Sequence, residues 1–321
     1  MYLLNSLFQG KNLLFWFIFH GMLGALATFN RFVVIGWFFL VAVLYMLKYF
    51  STRNLYVLLF GLVYLASFEP ASRMFETSPF IPYELGKYLL VFIPILGIIT
   101  GYFRSSKGGI MMILLIPSML IDLSTRATFK NIVFNSFGIL AVALCIVVFY
   151  RLKLKSDHFV RLIRLALLPL VTVLTGALIQ SPDLSSIEFS LEGTEEVAGG
   201  FGINQASTVF GVGAFLTFLF IINKWKFSGN YILDLALMGA FLLQGLLTFS
   251  RGGMVGAFLA ILMIIGYLTF AKGSIKINYR LPKVGKYVFP AILLLSLGAY
   301  VANNLTQGLL LLRYQGETSG T

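Results

Sequence analysis

Ser250-Arg251-Gly252-Gly253 sets a guanidinium between two long apolar runs, LDLALMGAFLLQGLLTF and MVGAFLAILMIIGYLTF. A chain that reverses between two such runs turns at a membrane surface. Arg251 then stands near the hydrocarbon edge, where a charge is costly unless it snorkels or pairs. A guanidinium is a rigid fork of donors that matches phosphate oxygens. The glycines leave backbone N–H groups open at the start of the next helix, where the macrodipole favours an anion. The chemistry this spacing offers is the holding of a diphosphate by Ser250, Arg251 and Gly252. The same residues also read as an interfacial anchor in a tight turn, and the turn by itself leaves both readings open.

Other residues add to the first reading without deciding it. Gly199-Gly-Phe-Gly-Ile-Asn204-Gln205 leads from an acidic segment into the next apolar run. Asn204 and Gln205 are placed either to cap that helix or to hydrogen-bond a sugar. No strand precedes the glycines, so they are not a dinucleotide fingerprint. Arg73, Arg126 and Arg313 are further cations that suit an anionic lipid head group, or serve as ordinary loop charges. Asp122 and Lys130 flank Arg126, and Glu317 near Arg313 is a candidate partner or base. Gly252, Gly256 and Ala260 repeat at the spacing that lets helices approach closely. Cys145 stands alone in an apolar run and reads as a small buried hydrophobe. His20 and His158 are far apart, so no metal-ligand cluster is expected. There is no P-loop, serine triad or heptad, and no cofactor is expected.

The elements that must position these residues are apolar throughout. Of the 321 residues 59% are hydrophobic and 11% charged, with a mean hydropathy of +0.90. A soluble domain of this size carries about 25% charged residues. The apolar residues come in long runs broken by short polar loops, the pattern of a membrane protein. The expected fold is all-α, a polytopic transmembrane bundle of about eleven spans. They fall near 13–29, 32–47, 55–68, 86–103, 109–121, 132–150, 163–180, 203–222, 231–249, 253–271 and 287–305. Spans 55–68 and 109–121 are short, and the second holds Pro117. The first run lacks a small-residue cleavage site and reads as a helix rather than a removable signal.

Charge sets the expected orientation. With the N-terminus cytoplasmic, seventeen of the 24 Lys and Arg residues fall on the cytoplasmic side, counting Arg164 at a helix entrance. The other seven are Arg31, Arg73, Lys87, Arg126, Lys130, Arg251 and Arg313. That asymmetry follows the positive-inside rule, and it explains the net charge of +12 without nucleic acid. An odd number of spans then leaves the C-terminus outside. Two outer loops stand out: 69–85, and 181–202, which carries five acids and no base. No internal repeat is found, and residues 1–321 read as one transmembrane domain.

The order of these features resembles the O-antigen ligase/polymerase family of bacterial envelope glycan enzymes. It runs acidic outer loop, G-F-G-x-N, two spans, S-R-G-G, two more spans, then R-Y-Q-G-E-T-S-G-T. The resemblance is clearest over 199–321; residues 1–198 match only as N-terminal helices. It implies ten or more helices in the inner membrane and an undecaprenyl-diphosphate-linked saccharide as substrate. It implies transfer or polymerisation at the periplasmic face, for O-antigen or exopolysaccharide assembly, without nucleotide sugar or metal. Arginines would hold the departing diphosphate while an acceptor hydroxyl attacks the anomeric carbon. Arg251 matches the arginine of the Ser-Arg-Gly turn, Asn204 the asparagine opening the preceding helix pair, and Arg313 the arginine that opens a large periplasmic loop. The sequence given ends where that loop would begin, so the resemblance implies a truncated member. The histidine that ligase members carry in the loop has no counterpart here, and the general base is unassigned. The implied partners are the lipid-linked saccharide, the bilayer and other envelope glycan assembly proteins.

Two other readings stand beside it. A transporter or flippase would place ionisable residues at mid-membrane and broken helices in matched halves; His20 is the main such residue, and it reads as a packed helix position. A non-catalytic truncated remnant is the other.

Overall fold

The computed structural model describes residues 12–114, 129–181, 196–200, 202–270, 293 and 296–315. They form helices joined by turns and loops, with no strand among the described residues. Five helices are long and apolar enough to cross a membrane: Phe32–Thr52, Leu55–Met74, Ser156–Gln180, Ile203–Asn223 and Arg251–Leu268. Four shorter apolar helices accompany them: Leu13–Phe29, Leu85–Ile99, Ser136–Phe149 and Tyr231–Leu247.

The boundaries differ from expectation where they matter. The short span at 55–68 gains length from a following turn of helix, Glu69–Met74. The span expected at 163–180 starts at Ser156, so Arg164 lies two turns inside the helix and is buried. The span expected from 253 starts at Arg251 itself. Of the span at 109–121, the described part is the helix Lys107–Ile113. Of the span at 287–305, residues 296–305 are described as helical.

The chain gathers into two compact units, and the grouping crosses the sequence. One holds Ile35–Ser72 and Thr77–Ala166; the other holds Gly10–Val34, Arg73–Glu76 and Leu167–Thr321. Helices are labelled α1 (Leu13–Phe29), α2 (Phe32–Thr52), α3 (Leu55–Ala66), α4 (Glu69–Met74), α5 (Leu85–Ile99), α6 (Lys107–Ile113) and α7 (Phe129–Phe149). They continue as α8 (Ser156–Gln180), α9 (Ile203–Asn223), α10 (Tyr231–Leu247), α11 (Arg251–Phe270) and α12 (Leu309–Gln315).

In the first unit α3 packs on α5, and α7 packs on both α5 and α6. Apolar surroundings oblige each polar tip to find a partner. Trp37 Nε1 donates to Tyr64 Oη at 2.8 Å, and Tyr45 Oη donates to the Leu58 carbonyl at 2.9 Å. Asn54 caps α3 by accepting from the Tyr56 N–H at 2.8 Å, as short polar residues do before a helix. Glu69 accepts from the Gly86 N–H at 2.8 Å in the first turn of α5, where the helix dipole favours a carboxylate.

In the second unit α1 meets α8 through Gly24, whose missing side chain leaves room for the Thr172 carbonyl. His20 is fully buried there, with Nδ1 at 3.0 Å from Thr172 Oγ1. It is thus a hydrogen-bonded helix-packing residue. Cys145, in the first unit, is a half-buried free thiol. At one end of the second unit, the loop between α9 and α10 closes on Asp234, which is 1% exposed. Its carboxylate accepts from the Phe227 and Ser228 N–H groups, each at 2.8 Å. Asp234→Ala strands both donors, at about 1–3 kcal/mol each. The expected result is a clear drop in the thermal unfolding midpoint of the purified protein, with Asp234→Asn dropping less. Equal midpoints for wild type and Asp234→Ala would contradict it.

Candidate functional site

The opposite end of the second unit gathers most of the residues singled out above. It is built on the crossing of α9 with α11. Gly253 lies against the backbone of α9: a side chain there would meet Ser207 C and Thr208 N at 2.3 Å. Gly211 answers from α9, facing the Gly253 carbonyl at 2.5 Å and Ala257 Cβ at 3.3 Å. The packing stripe on α11 is therefore Gly253, Ala257 and Ile261, the last two buried. This corrects the stripe expected at Gly252, Gly256 and Ala260. Gly252 and Gly256 have nothing within 4 Å of their side-chain directions.

Three residues reverse the chain between α10 and α11. Thr248 closes α10, with its hydroxyl donating to the Gly245 carbonyl at 2.7 Å. Phe249 follows at φ 58, a left-handed backbone in a bulky residue. Such a conformation costs about 1–3 kcal/mol and persists only when its surroundings over-determine it. Here Phe249 is 1% exposed in a cluster with Val197, Leu247, Ala302 and Leu310. Burial of that ring fixes where Ser250 and Arg251 leave the turn.

Ser250 then links the two helices. Its hydroxyl donates to Asn204 Oδ1 at 2.8 Å, and its carbonyl accepts from Ser207 Oγ at 2.8 Å. Asn204 makes no cap on α9, since Gly202 occupies the cap position without a side-chain bond. Gln205, next to it, accepts from Arg73 Nη1 at 2.5 Å. The structure thus joins Arg73 to Gln205 and Asn204 to Ser250 at adjacent positions on α9. Ser250→Ala removes one partly exposed bond and costs about 1 kcal/mol. Ser207→Ala leaves the buried Ser250 carbonyl unpaired and costs about 1–3 kcal/mol. Thermal unfolding should rank Ser207→Ala below Ser250→Ala; the reverse order would contradict this assignment.

Arg251 is the first residue of α11 and is half-buried. The first N–H groups of a helix lack partners within it, so Arg251 and the open side of Gly252 share one donor-rich edge. Arg313 and Tyr314 lie on α12, and Tyr314 packs on the cluster around Phe249. Burial pushes the Tyr314 phenol up to about 12, while the nearby Arg251 charge pulls it the other way. Arg313 Nε and Tyr314 Oη are both buried with no hydrogen-bond partner among the described residues. Beside Tyr314 opens an apolar slot of about 350 Å³, walled by Leu242, Leu246, Met254, Val255 and Phe258.

Two supporting residues gave no sequence signal. Gln244, 3% exposed, donates from Nε2 to the Val197 carbonyl at 2.7 Å and to Ser181 Oγ at 3.1 Å. It ties α10 to the two ends of the acidic segment. Phe249 is the other, since nothing in a phenylalanine's identity announces a left-handed turn. Arg126 and Glu317 lie outside the described residues, as does most of the acidic segment 181–202.

Comparison of the chain with protein-family models, with curated proteins and with solved structures finds no match in any of the three.

Proposed function

We propose that this chain acts on a lipid-linked saccharide diphosphate and transfers or polymerises its glycan at the outer face of a bacterial plasma membrane. The observation that carries the reading is a juxtaposition: Tyr314, which feels the charge of Arg251 and follows Arg313 on α12, lines an apolar slot together with Met254 and Val255 of the helix that Arg251 opens. A cationic, donor-rich edge suits a diphosphate. An apolar slot next to it suits the lipid that carries the diphosphate.

The chemistry then runs as a displacement. An acceptor hydroxyl attacks the anomeric carbon, and the bond from that carbon to the diphosphate oxygen breaks. The electron pair leaves with the diphosphate, whose growing charge Arg251 and Arg313 stabilise by preorganised donors. The acceptor proton passes to a base that the described residues leave unassigned. Asn204 and Ser250 hold the Arg251 turn in register with α9, and Arg73 braces Gln205 beside them. The sidedness rests on the Lys and Arg asymmetry, and the family resemblance supplies the glycan class.

Reconstitution tests this. The purified chain goes into phospholipid vesicles with undecaprenyl-diphosphate-linked oligosaccharide. The expected result is consumption of the donor, with longer or transferred glycan and free undecaprenyl diphosphate as products. Folded protein that leaves the donor untouched would contradict the proposal.

A further inference from the structure

A larger cavity, of about 760 Å³, opens in the same unit and is separate from the apolar slot. Its size lies within the roughly 300–1,000 Å³ of small-molecule sites. Thr28, Phe29, Arg31, Glu76, Gln180 and Gly200 are among the residues lining it. The last residues of α1, α4 and α8 converge on it.

Its chemistry is selective by exclusion. Helix C-termini present carbonyls without intrahelical partners and carry the negative end of the dipole. They and the Glu76 carboxylate oppose an anion. Arg31 opposes a free cation, and it is held in place by donating from Nη1 to the Glu76 carbonyl at 2.7 Å. Among the described residues, one arginine and one glutamate leave the lining formally neutral. The polar side chains argue against a purely apolar guest. What fits is a neutral ligand rich in hydroxyl donors.

The shape agrees. Gly199 and Gly200 have φ of +70° and +78°, backbone that favours glycine. The side-chain direction of Gly199 is closed by Met74 Cε at 2.6 Å, while that of Gly200 is empty. The backbone at Gly200 is therefore bare towards a ligand. Gln180 is exposed and offers an amide with both donors and an acceptor. Phe29 is 84% exposed at the rim and offers a ring face to the C–H face of a pyranose.

We infer that this cavity is a saccharide-binding subsite, with Gln180, Glu76 and the Gly200 backbone meeting the sugar hydroxyls and Phe29 stacking on the ring. The inference rests on the transferase reading only where it takes the bound sugar to be the glycan acceptor.

The test is calorimetric titration of the purified full chain with chitotriose and, in parallel, maltotriose, with inorganic pyrophosphate as the anionic control. Saturable binding of at least one trisaccharide is expected. Gln180→Ala should weaken it about tenfold, the loss of one or two hydrogen bonds. Thr28→Trp, which fills the cavity, should abolish it; if that variant fails to fold, Gln180→Ala and Glu76→Gln decide. Pyrophosphate should not displace the sugar. Binding of neither trisaccharide, or binding unchanged by Gln180→Ala and Glu76→Gln, would overturn the inference. Sugar binding by a folded chain that leaves the lipid-linked donor untouched would sink the transferase reading and leave the cavity standing. Absent sugar binding with Arg251 essential would do the opposite.

Discussion

Arg251→Ala should reduce glycan transfer by about 10²–10³-fold or more, the scale seen when one preorganised charge-stabilising donor is removed. The protein should still insert and fold, because the side chain starts a helix and supports no packing that the structure reveals: α11 is anchored by Gly253, Ala257 and Ile261 instead. Arg251→Lys should recover only a trace. Lysine keeps the charge but loses the planar fork that grips two oxygens at once. Transfer rates in vesicles, set beside the thermal midpoint of each variant, check this. Full transfer by the Ala variant would end the role given to Arg251.

Gly253→Ala should be among the most damaging small substitutions in the chain. Its methyl carbon would stand 2.3 Å from two backbone atoms of α9, and backbone cannot turn aside as a flexible side chain does. Overpacking of this kind costs about 1–3 kcal/mol, occasionally more. The helices would separate just where Ser207 and Asn204 engage Ser250, so transfer should fall with stability. Gly256→Ala, three residues on, meets nothing within 4 Å. It should stabilise by up to about 1 kcal/mol through helix propensity alone. Thermal unfolding of the two variants side by side makes the comparison; equal midpoints would show that the α9–α11 contact is misplaced.

That pair of glycines also shows how far sequence reading reaches. Apolar runs separated by short polar turns mark the helices, and the Ser-Arg-Gly-Gly turn marks where two of them reverse. Small residues occupy both registers of α11: Gly252, Gly256 and Ala260 in one, Gly253 and Ala257 in the other. Only the partner helix chooses between them, through Gly211 and Ser207. The start of α11 is similar. The apolar run places the expected start of the span at 253, yet the helix begins at Arg251.

The candidate site divides along the same line. Arg251, Ser250, Asn204 and Arg73 stand out by residue type and position. Their pairings do not, because Arg73 and Gln205 are 132 residues apart and no local pattern links them. Gln244 and Phe249 act through burial and backbone conformation, which residue identity does not announce. The saccharide cavity is assembled from the ends of three helices and a glycine pair that are widely separated along the chain.

The central claim is that Arg251, whose charge reaches Tyr314, and Arg313, which precedes Tyr314 on α12, hold a lipid-borne diphosphate. Its most direct test is equilibrium binding of farnesyl diphosphate, a short water-dispersible lipid diphosphate, to the chain held in nanodiscs. The account predicts saturable binding that farnesol does not compete for. It predicts at least tenfold weaker binding in Arg251→Ala and in Arg313→Ala, since a hydrogen bond to a charged group is worth about 1.5–3 kcal/mol. Equal affinity in wild type and both variants would contradict it.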